Sequence, residues 1–158
     1  MKYILLALIL LILFFYPCTN YFMASSGIYY TSRNSKTANV IDNLRDISYS
    51  VADDIPDEDA RILRTSLQFT SFKELNGDKP TILAWNTDKG REIAIRIYDY
   101  RGNLFSADQI IRALLHELAH TLTKNTGHGP NFKTKNEMLQ KLRNKYVKTL
   151  INNTFIEQ

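Results

Sequence analysis

Ser106-Ala107-Asp108-Gln109-Ile110-Ile111-Arg112-Ala113-Leu114-Leu115-His116-Glu117-Leu118-Ala119-His120-Thr121-Leu122 is the stretch on which the reading of this chain turns. Ser106 is a natural N-cap, Gln109 three residues on completes a capping box, and Asp108 puts a negative charge in the first turn. A helix therefore opens here, and Ile111, Leu114, Leu115, Leu118 and Leu122 give it a broad apolar stripe. His116 and His120, four residues apart, lie one above the other on one face, near enough to share a metal ion. Glu117 stands beside them.

Each of these residue types has a chemical reason to be there. Neutral imidazoles hold zinc without cancelling its charge, so the ion still acidifies a water and polarises a carbonyl. Glu117 is then placed to take the proton of the attacking water and deliver it to the departing amine. A catalytic zinc site usually takes three protein ligands and keeps a fourth position open. His128, eight residues after His120 in Gly127-His128-Gly129-Pro130, is the first candidate for the third ligand, because the glycines allow a sharp turn back over the helix. Glu137, the single acid in a lysine-rich segment, is the competing candidate. The expectation is one zinc ion per chain and hydrolysis of peptide bonds in a protein or peptide substrate. The plainer alternatives make these ordinary helix residues, or a noncatalytic zinc clasp between helices. Tyr98, Tyr100, Tyr146 and Arg112 are candidates, on residue type alone, for stabilising an oxyanion.

Outward from this helix, Thr81 to Trp85 and Glu92 to Tyr98 read as strands joined by a hairpin at Asn86-Thr87-Asp88-Lys89-Gly90. The free edge of the Glu92 to Tyr98 strand is expected to hold an extended peptide. Pro56, followed by Asp57, Glu58 and Asp59, opens a helix whose apolar side carries Ile62, Leu63, Leu67, Phe69 and Phe72. Tyr49 and Val51 alternate as in a strand. Pro130 opens a final helix with Phe132, Leu139, Leu142, Tyr146 and Leu150 on one side. The fold class is α+β: a minimal zincin-like metallopeptidase domain over 46–158, with a small, mostly antiparallel sheet packed by the zinc helix and the C-terminal helix.

The 158-residue chain begins differently. Tyr3 to Tyr16 contains no charged side chain and the apolar character resumes at Tyr21, so 1–24 reads as an N-terminal transmembrane helix, with a cleaved signal ending near Ala24-Ser25-Ser26 as the rival. This implies a single-pass membrane location with the lipid bilayer as a partner; Lys2 against Arg33 and Lys36 favours only weakly a downstream domain on the cytoplasmic side, and the side stays open. Residues 25–45, rich in Ser, Thr, Asn and Tyr, read as a tether, with one or two helical turns from Asn39.

The formal charge of +4 does not by itself demand a polyanionic partner. Lys141, Lys145 and Lys148 form either a stripe that contacts nucleic-acid phosphates or, more plainly, a solvated helix face. Cys18 is the one cysteine, which excludes an intramolecular disulfide and a cysteine-rich zinc module.

His-Glu-Leu-Ala-His from His116, seven intervening residues, and His-Gly-Pro-Asn-Phe ending at Phe132 resemble the active-site signature of the WLM and SprT-like zinc metallopeptidases. The resemblance implies that His116, His120 and His128 bind zinc, that Glu117 is the general base, and that Phe132 packs the next helix. The interval from His120 to His128 lies between the shorter one of typical WLM members and the longer one of many SprT-like proteins. Relatives of this kind act on proteins crosslinked to DNA, so the resemblance also implies a DNA-associated protease as an alternative role.

Overall fold

The computed structural model describes residues 20–77, 81–123 and 127–154. Tyr21–Met23 (β1) and Tyr29–Thr31 (β2) form an antiparallel hairpin. Ser35–Asp53 (α1) follows, opened by Asn34, whose side chain accepts from the Thr37 backbone N–H at 2.9 Å. Val40, Ile41, Leu44, Ile47 and Val51 are all buried in the core. Their spacings of one, three and four are the helical period, which overrides the local alternation of Tyr49 and Val51 that suggested a strand.

Two expectations about the start of the chain are thereby corrected. Residues 25–45 are not a tether: they carry β2 and half of a buried helix. The end of the supposed anchor, Tyr21–Met23, is a strand, not helix. Tyr3 to Tyr16 lies outside the described residues, and among the described residues no helix is long and apolar enough to cross a membrane. The expected single-pass membrane location is corrected on that finding, and the bilayer is left without support as a partner.

Asp57–Leu67 (α2) has the acidic first turn expected of it. It stops before Phe69 and Phe72, because Thr70 closes the last turn onto Leu67 and Ser71 donates to the Arg91 carbonyl to begin a strand. Phe69 is consequently exposed, and Phe72 is buried within Ser71–Glu74 (β3). With Ala84–Thr87 (β4) and Glu92–Ile95 (β5) this makes a three-stranded sheet in the order β3-β5-β4. The central β5 runs parallel to β3 and antiparallel to β4.

The chain from β3 to β4 must cross over the end of β5, and Arg96 fastens that crossing. Its Nε donates to the Ile82 carbonyl at 2.9 Å and its Nη1 to the Gly77 carbonyl at 3.1 Å. A buried guanidinium satisfied by backbone carbonyls holds both ends of the crossing at fixed heights.

Ala107–Leu122 (α3) is the helix the sequence announces, with both hydrogen bonds of the capping box present. Ile111, Leu114, Leu115 and Leu118 are completely buried against the rest of the core. The final helix is divided into Pro130–Gln140 (α4) and Arg143–Asn153 (α5). A straight helix over this span would be about 36 Å long and would overrun so small a domain. The bend instead buries Leu139, Tyr146 and Leu150 together and brings the Tyr146 hydroxyl to Asp54 Oδ2 at 2.5 Å.

Candidate metal centre

His116 and His120 project from successive turns of α3, and His128 reaches them from the turn before α4. One ligand atom from each lies within 4.8 Å of the others. His116 Nε2 and His128 Nε2 are 3.2 Å apart. Two nitrogens on a tetrahedral zinc at about 2.0–2.1 Å are separated by about 3.3 Å, so this pair already has the spacing a shared ion requires. Phe132, buried one turn into α4, packs against all three rings with centroid separations of 4.9, 4.3 and 4.7 Å to His116, His120 and His128. Gly129 and Pro130 at the opening of α4 set the direction from which His128 and Phe132 arrive.

Their surroundings keep two of the three donors, His116 and His120, short of protons. Burial, then the neighbouring His120 and His128, push His116 down to about 4, and burial and His128 push His120 down as well. Neutral imidazoles packed together offer lone pairs to a cation at little cost in displaced protons. Glu117, 5% exposed, is pushed up to about 7 by burial. A cation held by the histidines would draw that carboxyl back toward its ionised form.

Glu117 forms the floor where two clefts meet. One, of about 530 Å³, runs past Arg112, Ala113 and the segment Thr81–Ala84 toward Gln140 and Arg143. The other, of about 460 Å³, runs past Trp85, Asn86 and Lys89 toward Gly127 and His128. β4 borders both, and among the described residues it pairs with β5 on one side only. The expectation that the Glu92 to Tyr98 strand offers its edge is therefore wrong: β5 is central and paired on both sides, and β4 is the edge beside the histidines.

Asn86 sets the height of that edge above α3. Its Nδ2 donates to the Glu117 carbonyl at 2.8 Å and to Thr121 Oγ1 at 2.9 Å, while its Oδ1 accepts from the Gly90 N–H at 2.6 Å. No sequence signal marked Asn86 beyond its place in a hairpin, because its partners lie about 30 residues away in sequence.

The other candidates separate cleanly. Glu137 is exposed and does not join the histidine cluster. Tyr146 is buried and bonded to Asp54, Tyr98 lies under the Arg33 guanidinium at 4.4 Å, and Tyr100 is exposed beside Arg101. Arg112 alone of the four oxyanion candidates lines the cleft. The lysine stripe is broken by the bend between α4 and α5, and Lys145 is engaged by Asp54 at 2.5 Å.

The sequence model of the WLM domain family matches residues 48–156. Two solved structures, of a Wss1 mutant and of Wss1 from Saccharomyces cerevisiae, are similar at 20% and 19% identity, each with a TM-score of 0.46. They cover 58% of this chain and 77% and 76% of their own. No curated protein sequence matches the chain.

Proposed function

The chain belongs to the WLM domain family, and on that premise we propose that it is a zinc-dependent peptidase acting on protein substrates. The observation that carries the reading is the convergence of His116, His120 and His128 beside a buried Glu117, at the floor of a cleft bordered by a free strand edge. In this reading the three histidines hold one zinc ion. Zinc bound there would supply a Lewis acid for the peptide carbonyl and lower the pKa of a water.

The chain's own residues do the rest. The free edge of β4 aligns an extended peptide by backbone hydrogen bonds, which fixes its register without regard to side chains. Glu117 accepts the proton of the attacking water and returns it to the nitrogen as the C–N bond breaks. α3, anchored by its buried leucines, keeps the two ring nitrogens and this carboxylate in fixed relation.

The test uses the full chain supplied with zinc, with metal content and cleavage of an unfolded protein as readouts. One zinc per chain is expected, lost in His128→Ala and kept in Glu137→Ala. Glu117→Gln should keep the metal and the fold while cleavage drops by at least about 100-fold. Zinc binding without cleavage in the unmodified chain would leave the histidines a structural clasp and end the peptidase reading.

A further inference from the structure

The cleft differs in charge on its two sides. Where it passes Asp88 and Lys89 the charges offset each other, whereas among the described residues the other side is lined by Arg112 and Arg143 and by no carboxylate except Glu117. Arg143 is engaged, with Nε 2.9 Å from Asp108. Arg112 is exposed, and among the described residues its guanidinium takes part in no hydrogen bond or ion pair. Its backbone carbonyl accepts from Gln140 Nε2 at 3.1 Å, which ties this turn of α3 to the end of α4.

Arg112 precedes His116 by four residues and His120 by eight, so it continues their row about 6 Å up the helix. Successive residues of an extended peptide are about 3.3 Å apart. A substrate whose scissile bond lies at the histidines therefore brings a side chain one or two positions away within reach of this guanidinium. The planar fork of arginine matches a carboxylate with two parallel hydrogen bonds, and Ala113 and Leu83 give the same cleft apolar lining.

From this charge asymmetry and the unpaired guanidinium, we infer that Arg112 selects an acidic residue, Asp or Glu, on its own side of the scissile bond. The inference rests on the peptidase reading and adds a substrate class to it. Because the cleft is open to water, the selection is moderate, roughly three- to tenfold over the uncharged isosteres Asn and Gln.

The experiment is digestion of an unstructured peptide library by the zinc-supplied full chain, with cut sites mapped by mass spectrometry. Asp and Glu should be enriched at one position within two residues of the cut and on one side only. Arg112→Ala should erase the enrichment, Arg112→Glu should turn it toward Lys and Arg, and Lys148→Ala, a charge removed elsewhere, should leave it in place. Cleavage without acidic enrichment, or enrichment that survives Arg112→Ala, overturns the inference and leaves the peptidase reading standing. If nothing is cut, the peptidase reading falls, and the inference is read from Glu117→Gln by fluorescence anisotropy with labelled Asp-containing and Asn-containing peptide pools. Equal binding of the two pools overturns it. Displacement of the Asp pool by a single-stranded oligonucleotide, dependent on Arg112, would reassign the guanidinium to phosphate and also overturn it.

Discussion

Phe132 touches every imidazole of the cluster and is itself buried, so one side chain fixes three ring planes at once. Phe132→Ala should lower stability by about 3–5 kcal/mol through the cavity it leaves, measured by urea denaturation. It should also weaken zinc affinity by about tenfold or more, as loss of an outer support does, measured by competition with a chelator. Lost stability with unchanged affinity would mean that the ring fills space without orienting the ligands. A second residue, Asp54, makes the acid response of the fold testable. Lys145 Nζ and the Tyr146 hydroxyl both donate to it, and they hold its carboxyl below the usual carboxylate range. A carboxyl whose folded value is depressed stabilises fully above its unfolded value and loses that contribution as pH falls through the folded one. Asp54→Asn should therefore cost up to about 1 kcal/mol at neutral pH, Lys145 being solvent-exposed, and the gap should close as pH falls through the depressed folded value, below the usual carboxylate range. A gap that persists undiminished in acid would assign the loss to packing. His116, His120 and Glu117 were readable in the sequence because helix periodicity alone places them, and His128 because glycines on both sides of it allow the turn back. Asn86 and the cleft position of Arg112 were not, because both depend on which strand comes to lie beside α3.

The β4–β5 hairpin is held against α3 by a close approach at Gly90. A Cβ there would lie 2.7 Å from Thr121 Cγ2 and 2.8 Å from its Oγ1, and the backbone φ of +104° is one that side-chain-bearing residues rarely adopt. Asp88 and Lys89 just before it also have positive φ, which turns the hairpin with the twist its strands require. Gly90→Ala should destabilise by about 2 kcal/mol or more, combining strain and overlap. Thr121→Ala relieves the overlap but also removes the acceptor of Asn86 Nδ2, so the overlap is read from the cycle: Gly90→Ala and Thr121→Ala together should cost less than the sum of the two alone, measured by denaturation. Strict additivity would show that the overlap costs nothing. The sequence marked this hairpin through its Asn, Asp and Gly, although Asn86 and Thr87, expected in its turn, belong to β4, and β3 stayed hidden within an expected helix. Its partner β5 lies about 20 residues on, and parallel pairing leaves no local turn signature. The bend between α4 and α5 was hidden for a related reason: no Gly or Pro marks it, and its cause is the space left by the rest of the domain.

At the scale of the molecule, the family match begins at residue 48, inside α1, whereas the physical domain begins well before it. Val40, Ile41, Leu44 and Ile47 lie N-terminal to that boundary and are at most 3% exposed. Burying four such side chains contributes roughly 6–12 kcal/mol at about 1.5–3 each, which is comparable with the whole stability of a domain this size, about 5–15 kcal/mol. Polar contacts fasten the same region: the Tyr30 hydroxyl donates to Asp42 Oδ1 at 2.6 Å, and the Arg33 N–H donates to the buried carboxylate of Glu74 on β3. Sequence composition suggested a tether here because Ser, Thr and Asn are dense, but Asn34 and Thr37 form the N-terminal cap of α1, Thr37 being buried there, and Ser35, Asn39 and Asn43 flank an apolar stripe that is complete. A chain starting at Asn20 should therefore unfold in one cooperative thermal transition and bind zinc. A chain starting at Asp46 should show no such transition, expose apolar surface to a hydrophobic dye, and lose its zinc. Cooperative unfolding and zinc binding in the shorter chain would show that α1 is an accessory layer and that the remaining helices and sheet form a sufficient core.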